Sequence, residues 1–236
     1  MATITTWFTL GLLGELLGTA VLAYGYTLVP EETRKRYLLL ITIPGIAIVA
    51  YALMALGFGA IQSQGHAVYV IRYIDWLLTT PLNVLFLALL AGANRGDTVK
   101  LVVLQALTIV FGFAGAITPS PVSYALFAVG AALFGGVIYL LYGNIATAAK
   151  STLSDIEISL YRTLRNFVVV LWLVYPVVWL LGAPGLGLMD VETASLVVVY
   201  LDVVTKVGFG IIALLAMMDL GSVSETDEEM TAVAGD

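Results

Sequence analysis

The sequence predicts an all-α integral membrane protein, a bundle of seven transmembrane helices, and three observations carry the prediction. Of 236 residues, 61% are hydrophobic and only 11% are charged, with a mean hydropathy of +1.02, far too apolar for an ordinary soluble domain. Apolar windows of about 20 residues recur along the chain, the length needed to cross about 30 Å of hydrocarbon. Connections rich in Lys and Arg alternate with connections that have none, the asymmetry of a chain that crosses a membrane repeatedly.

Hydropathy places the spans, in order, at 7–28, 37–58, 68–90, 101–117, 124–142, 163–181 and 194–218. The first has no basic segment before it and carries Glu15 inside it, so it reads as a true span and not as a cleaved signal peptide. Turn chemistry separates several of the others: Pro30-Glu31-Glu32, Gly92-Ala93-Asn94-Arg95-Gly96, Thr118-Pro119-Ser120-Pro121 and Gly182-Ala183-Pro184-Gly185. There is no internal repeat and no second, soluble domain. Residues 1–220 form one membrane domain. Residues 221–236 are an acidic tail with Glu225, Asp227, Glu228, Glu229 and Asp236, expected to be disordered. The absence of cysteine excludes disulfide and thiol chemistry.

Eight of the ten basic residues fall in three connections or at their helix ends: Arg34, Lys35 and Arg36, then Arg95 and Lys100, then Lys150, Arg162 and Arg165. The connections around 62–66, 118–121 and 182–190 have none. The positive-inside rule makes the basic connections cytoplasmic, which puts the amino terminus outside and the carboxyl terminus inside. His66, the single histidine, then lies in an extracellular loop as a solvated residue, and one histidine makes no metal site. Neither an enzyme nor a nucleic-acid partner is expected. Membrane lipid is the expected surrounding, and a homo-oligomer is compatible with this composition.

The two remaining basic residues, Arg72 and Lys206, lie inside spans, as do Glu15, Asp75 and Asp202. Unpaired, five charges at that depth would cost about 12 to 17 kcal/mol on insertion scales, so each is a functional-site hypothesis. Asp202 and Lys206 are four apart on the seventh span and share a helix face, as do Arg72 and Asp75, three apart on the third. Two cations and two anions cancel, as a buried cluster requires. The plainer reading is an ion-pair staple between helices, although ionisable groups at this depth more often mark pathways or counter-ions of a ligand.

Trp172, Tyr175 and Trp179 recur at spacings of three and four on the sixth span, one stripe on one face, and Trp76 adjoins Asp75. Such stripes are commonly helix contacts or interfacial belts. Here the tryptophans are mid-span and their N–H groups need partners, which favours a polar, ligand-filled cavity.

Three runs, Arg72-Tyr73-Ile74-Asp75-Trp76-Leu77-Leu78-Thr79-Thr80-Pro81, Trp172 with Tyr175-Pro176 and Trp179, and Leu201-Asp202-Val203-Val204-Thr205-Lys206-Val207-Gly208-Phe209, resemble the motifs of archaeal microbial rhodopsins. The resemblance covers essentially all seven spans. It implies covalent retinal, all-trans, as a Schiff base on Lys206, with Asp75 as primary counter-ion and proton acceptor and Asp202 as second counter-ion. It implies that Arg72, with Thr79, organises the counter-ion network. Trp76, Trp172, Tyr175, Pro176 and Trp179 would enclose the polyene, with Asn83 on one side of it and Gln105 near its ring or middle. The chemistry of the residues agrees, because a protonated imine is a fixed cation and two carboxylates near it offset its burial.

Pumps of this family carry a carboxylate three turns beyond the Asp75 position, about 16 Å further along the helix. Here that position is Phe86, so the cytoplasmic proton donor is absent and reprotonation should be slow. The glutamate that pumps carry eight residues before Asp202 is replaced by Ala194, with Glu192 two residues off. An anion pump would want a neutral residue in place of Asp75. Thr205 with Tyr175 resembles the hydroxyl pair of the sensory rhodopsin II branch, and Tyr200 resembles a lipid-side contact for a two-helix membrane transducer. The plainer readings are a back-bond of Thr205 to its own helix and a lipid-facing aromatic at Tyr200.

The expected function is a light-sensing retinal photoreceptor that signals to a membrane-embedded transducer for phototaxis. Glu15, Asn83 and Gln105 differ in kind from the sensory rhodopsin II pattern, so the middle rhodopsin branch stays open. Two other readings stay open as well: a weak light-driven outward proton pump, and a seven-helix receptor without retinal. Glu15 is read as a neutral, packed carboxylic acid or the mark of an interface.

Overall fold

The computed structural model describes residues 3–219, so the predicted acidic tail lies outside the described residues. Seven helices long and apolar enough to cross a membrane are present among them. They are α1 (Ile4–Gly25), α2 (Glu31–Ala55), α3 (Val70–Leu90) and α4 (Arg95–Ile117), followed by three spans built of joined pieces. The fifth span, Val122–Thr152, joins α5 (Val122–Tyr142) to α6 (Asn144–Thr152). The sixth, Asp155–Leu181, joins α7 (Asp155–Trp172) to α8 (Val174–Leu181). The seventh, Val191–Asp219, begins as α9 (Val191–Val203) and passes through a π turn, Val204–Gly208.

The helices start where side chains can satisfy free backbone N–H groups. Asn94 Oδ1 accepts from Asp97 N at 3.0 Å, and Ser154 with Glu157 forms a capping box. Asp190 accepts from the backbone N–H and hydroxyl of Thr193 at 2.8 and 2.6 Å, which holds its carboxyl below the usual range. Caps of this kind are polar, so several helices begin earlier than their hydropathy windows. The fifth and sixth spans are also longer than predicted. Lys150, Arg162 and Arg165 accordingly stand on helices, and only residues 153–154 connect those spans. The break between α7 and α8 at Leu173 follows from Pro176, which has no N–H to offer the carbonyl of Trp172.

A feature the hydropathy reading treats as a loop is a hairpin of β1 (Ala60–Ser63) and β2 (His66–Tyr69), antiparallel with Ser63 opposite His66. Gln64 and Gly65 make its two-residue turn, both at positive φ (52° and 79°), a conformation that suits glycine and that the strand twist favours. Ser63 Oγ donates to the carbonyl of Ile117 at 3.0 Å and pins the hairpin against the end of α4.

The buried face of α1 alternates large residues with glycines: Phe8, Gly11, Glu15, Gly18, Leu22, Gly25. The glycines allow a close approach to the seventh span. A Cβ on Gly11 would lie 2.7 Å from the Tyr51 ring and 3.0 Å from Val199, one on Gly14 3.0 Å from Val203, and one on Gly18 would overlap Val207.

Candidate functional site

Among the described residues five acidic or basic side chains are buried within the bundle: Glu15, Arg72, Asp75, Asp202 and Lys206. Lys206 stands in the π turn, and its Nζ donates to Asp75 Oδ2 in a short contact across from α3. Asp202 Oδ2 lies 3.7 Å from the same nitrogen. The four-residue spacing read from the sequence does bring lysine and aspartate together, and α3 supplies the second carboxylate.

Asp202 is the centre of the hydrogen bonding. Tyr51 donates to its Oδ2 at 2.7 Å, Tyr175 to its Oδ1 at 2.7 Å, and Trp76 Nε1 to Oδ1 at 3.0 Å. Three neutral donors from three helices around one buried anion offset its desolvation. Asp75 has fewer partners, since its Oδ1 accepts from no group among the described residues.

Other predicted residues are placed differently. Arg72 makes no ion pair with Asp75 or Asp202 among the described residues. Its guanidinium lies over the rings of Phe8 and Tyr69, at 5.4 and 5.3 Å, with Nε and Nη2 buried and without a hydrogen-bond partner among the described residues. Sharing a helix face with Asp75 did not pair them, because the long side chain extends toward the hairpin instead. The Thr79 hydroxyl donates to its own helix, to the carbonyl of Asp75 at 2.7 Å, and not to the carboxylate. His66 is part of β2 and half-buried, with no partner for Nε2 among the described residues, because the hairpin folds over the end of the bundle.

A cavity of about 200 Å³ extends from Lys206 to the hairpin. Trp76, Trp172, Tyr175, Pro176 and Trp179 line it, and so do Asn83 and Gln105. Trp179 stacks on Phe127 with ring centres 4.4 Å apart, and Trp76 meets Tyr175 edge to face at 5.2 Å. Gln105 Nε2 donates to Thr80 Oγ1 at 2.9 Å, while Gln105 Oε1, Asn83 Oδ1 and Trp179 Nε1 are buried with no hydrogen-bond partner among the described residues. Gly112 also lines the cavity, and a Cβ there would meet nothing within 4 Å. An apolar-walled space that ends at an amine fits an elongated apolar carbonyl compound held by that amine.

Beyond Lys206, on the side away from the hairpin, two aromatic rings pack together. Phe86 is fully buried and packs edge to face on Phe209. The Thr205 hydroxyl donates to the carbonyl of Asp202 at 3.3 Å, so Thr205 and Tyr175 both converge on Asp202. Tyr200 is 66% exposed on the outer face of α9. Tyr51 was not singled out by its sequence; its one signal was a mid-span hydroxyl in need of a partner.

The sequence profile of the family described as bacteriorhodopsin-like protein matches residues 2–220. The chain is 91% identical over 236 residues, all of both chains, to sensory rhodopsin-2 of Haloarcula vallismortis. It is 44% identical to sensory rhodopsin-2 of Natronomonas pharaonis, over 99% of this chain and 100% of that one. Among solved structures it is similar to thermophilic rhodopsin from Rubrobacter xylanophilus, with a TM-score of 0.87 and 37% identity over 93% of this chain and 100% of the other.

Proposed function

Because the chain belongs to the bacteriorhodopsin-like family, it is a retinal protein of the cell membrane, and we propose that Lys206 carries the retinal. It is a photoreceptor of the sensory kind, not an enzyme, as its full-length identity to sensory rhodopsin-2 proteins indicates. The observation that carries the assignment of Lys206 is its burial at the end of an aromatic-lined cavity, with a carboxylate on its Nζ.

Retinal, joined through its aldehyde carbon to Nζ of Lys206, supplies visible absorption and a light-driven change of shape. The remaining steps belong to the protein. Asp75, one oxygen on Nζ and the other free, is the acceptor of the proton that Nζ releases. Asp202, committed to Tyr51, Trp76 and Tyr175, is the second counter-ion and balances Arg72, which organises the end of the cavity nearer the hairpin. Trp76, Trp172, Pro176 and Trp179 hold the chain of the chromophore, and Asn83 and Gln105 set its polarity with their free oxygens. Phe86 and Phe209 stand between Nζ and bulk water on the far side, so net proton uptake from that side is slow, which favours signalling over pumping. Tyr175 and Thr205 pass movement to the sixth and seventh spans through Asp202. A two-helix membrane transducer, docked on the outer face that bears Tyr200, reads that movement. The amino terminus is extracellular, residues 1–220 form the receptor, and the acidic residues 221–236 form a cytoplasmic tail.

Adding retinal to the purified chain tests the assignment. A visible band resistant to hydroxylamine is expected for the native chain and none for Lys206→Ala; a resistant band in Lys206→Ala would overturn it. Light-directed swimming should then appear when the chain and a transducer are restored together to cells lacking both.

A further inference from the structure

Glu15 is, among the described residues, the buried carboxylic side chain that this mechanism leaves unused. It is fully closed to the outside, and neither carboxyl oxygen has a hydrogen-bond partner among the described residues. It sits on the seam of α1 that meets the seventh span, between Gly14, which faces Val203, and Gly18, which faces Val207. That places it at the level of the π turn carrying Lys206. The charges that act on it are those of Lys206, Asp202 and Asp75. Tyr51 is the titratable group from α2 at this seam, and its hydroxyl is committed to Asp202.

The other large positions of the seam are apolar, Phe8 and Leu22, so packing alone does not call for a carboxyl. Charge balance sets its state. Lys206 and Arg72 are offset by Asp75 and Asp202, and a third buried carboxylate with no hydrogen bond would be strongly unfavourable. Glu15 therefore holds a proton in the resting protein, beside glycines that let Val203 and Val207, the residues flanking Lys206 along the seventh span, pack close to α1.

We propose that Glu15 is the proton donor that returns Lys206 to its charged state, in place of the carboxylate absent at Phe86. The inference rests on Lys206 as the retinal attachment site. Once Nζ has given its proton to Asp75, the cluster holds one cation, Arg72, and one anion, Asp202. The O–H bond of Glu15 then breaks and an N–H bond forms on Nζ, leaving the Glu15 carboxylate facing the restored cation. The net charge of the cluster is zero before and after. Asp75 finally gives up its proton to bulk water, and Glu15 takes one from bulk water. This route is internal and does not require the Phe86–Phe209 contact to open for the first transfer.

Two measurements test it. In the retinal-free protein, infrared spectroscopy should show the carbonyl stretch of a protonated acid at neutral pH that disappears in Glu15→Gln. In the retinal-bound protein, flash photolysis of Glu15→Gln should show recovery slowed by about tenfold or more, the scale of a lost general acid, and restored by azide. Glu15→Leu, which continues the apolar rhythm of the seam, should behave like Glu15→Gln, while Glu15→Asp should stay near the native rate. Recovery of Glu15→Gln within about twofold of native would overturn the proposal, and so would a slowing that azide does not relieve, since that is a structural effect. A native chain that forms no visible band with retinal would remove the assignment of Lys206 and this inference together, whereas a normal band with unchanged recovery removes this inference alone.

Discussion

Phe86 meets Phe209 edge to face, ring centres 5.6 Å apart and both rings fully buried, at the level beyond Lys206 that lies away from the hairpin. The pair is an apolar plug between the lysine and that end of the bundle. Phe86→Asp places a carboxylic acid in its path. Recovery after a flash should become faster by about tenfold or more, the lower range of general-acid effects, and lose its response to azide. Flash photolysis at a series of azide concentrations reads both.

Asp75→Asn removes the carboxylate that Nζ of Lys206 contacts. A negative charge beside Nζ holds the positive charge of the bound chromophore near the nitrogen, so its loss should move the absorption band to longer wavelength. Proton release from Nζ should fall by about 100-fold or more without the acceptor. Acidification of the native protein until Asp75 is neutral should move the band in the same direction. The absorption spectrum and time-resolved absorbance are the measurements.

Tyr175→Phe deletes the 2.7 Å bond to Asp202. Tyr51 and Trp76 still hold that carboxylate, so the pigment should form with a small shift of its band. A bond to a charged group contributes about 1.5 to 3 kcal/mol, and its loss should lower thermal stability within that range. Phototactic swimming in Tyr175→Phe and Thr205→Val should fall well below native while the pigment level is unchanged, which separates signalling from light capture.

Gly18→Ala should be costly, because the added methyl group overlaps Val207. Overpacking of this kind costs about 1 to 3 kcal/mol. Gly45→Ala on α2 is the control, since nothing lies within 4 Å of its Cβ. There the gain in helix propensity, about 0.5 to 1 kcal/mol, should leave the protein as stable or slightly more so. Loss of the visible band on heating measures both.

The seven spans were legible because a membrane helix must be apolar along its whole length, and the five buried charges stood out against that background. Lys206, Asp202 and Asp75 were legible as a group for the same reason. Other features depend on contacts between spans, which no periodicity records. Tyr51 sits 151 residues from the Asp202 it bonds, and nothing local announces the pairing. Arg72 and Asp75 share a face in the sequence, yet the arginine runs to Phe8 and Tyr69, rings brought by α1 and by the hairpin. The hairpin was hidden because ten residues with no long apolar run give hydropathy little to report. Thr79 reads as a hydroxyl near the counter-ion and instead serves its own helix.

The turn Val204–Gly208 interrupts an otherwise regular last helix at the residue that bears the amine. A π turn holds one residue more than an α turn needs, so the ladder of backbone bonds has slack there. Taking up that slack would rotate the segment after it by about 100° or advance it by about 1.5 Å. Lys206 is thus joined to its helix at the one turn where the backbone ladder carries an extra residue, so a pull on Nζ meets the segment that can shift with the least loss of backbone bonds.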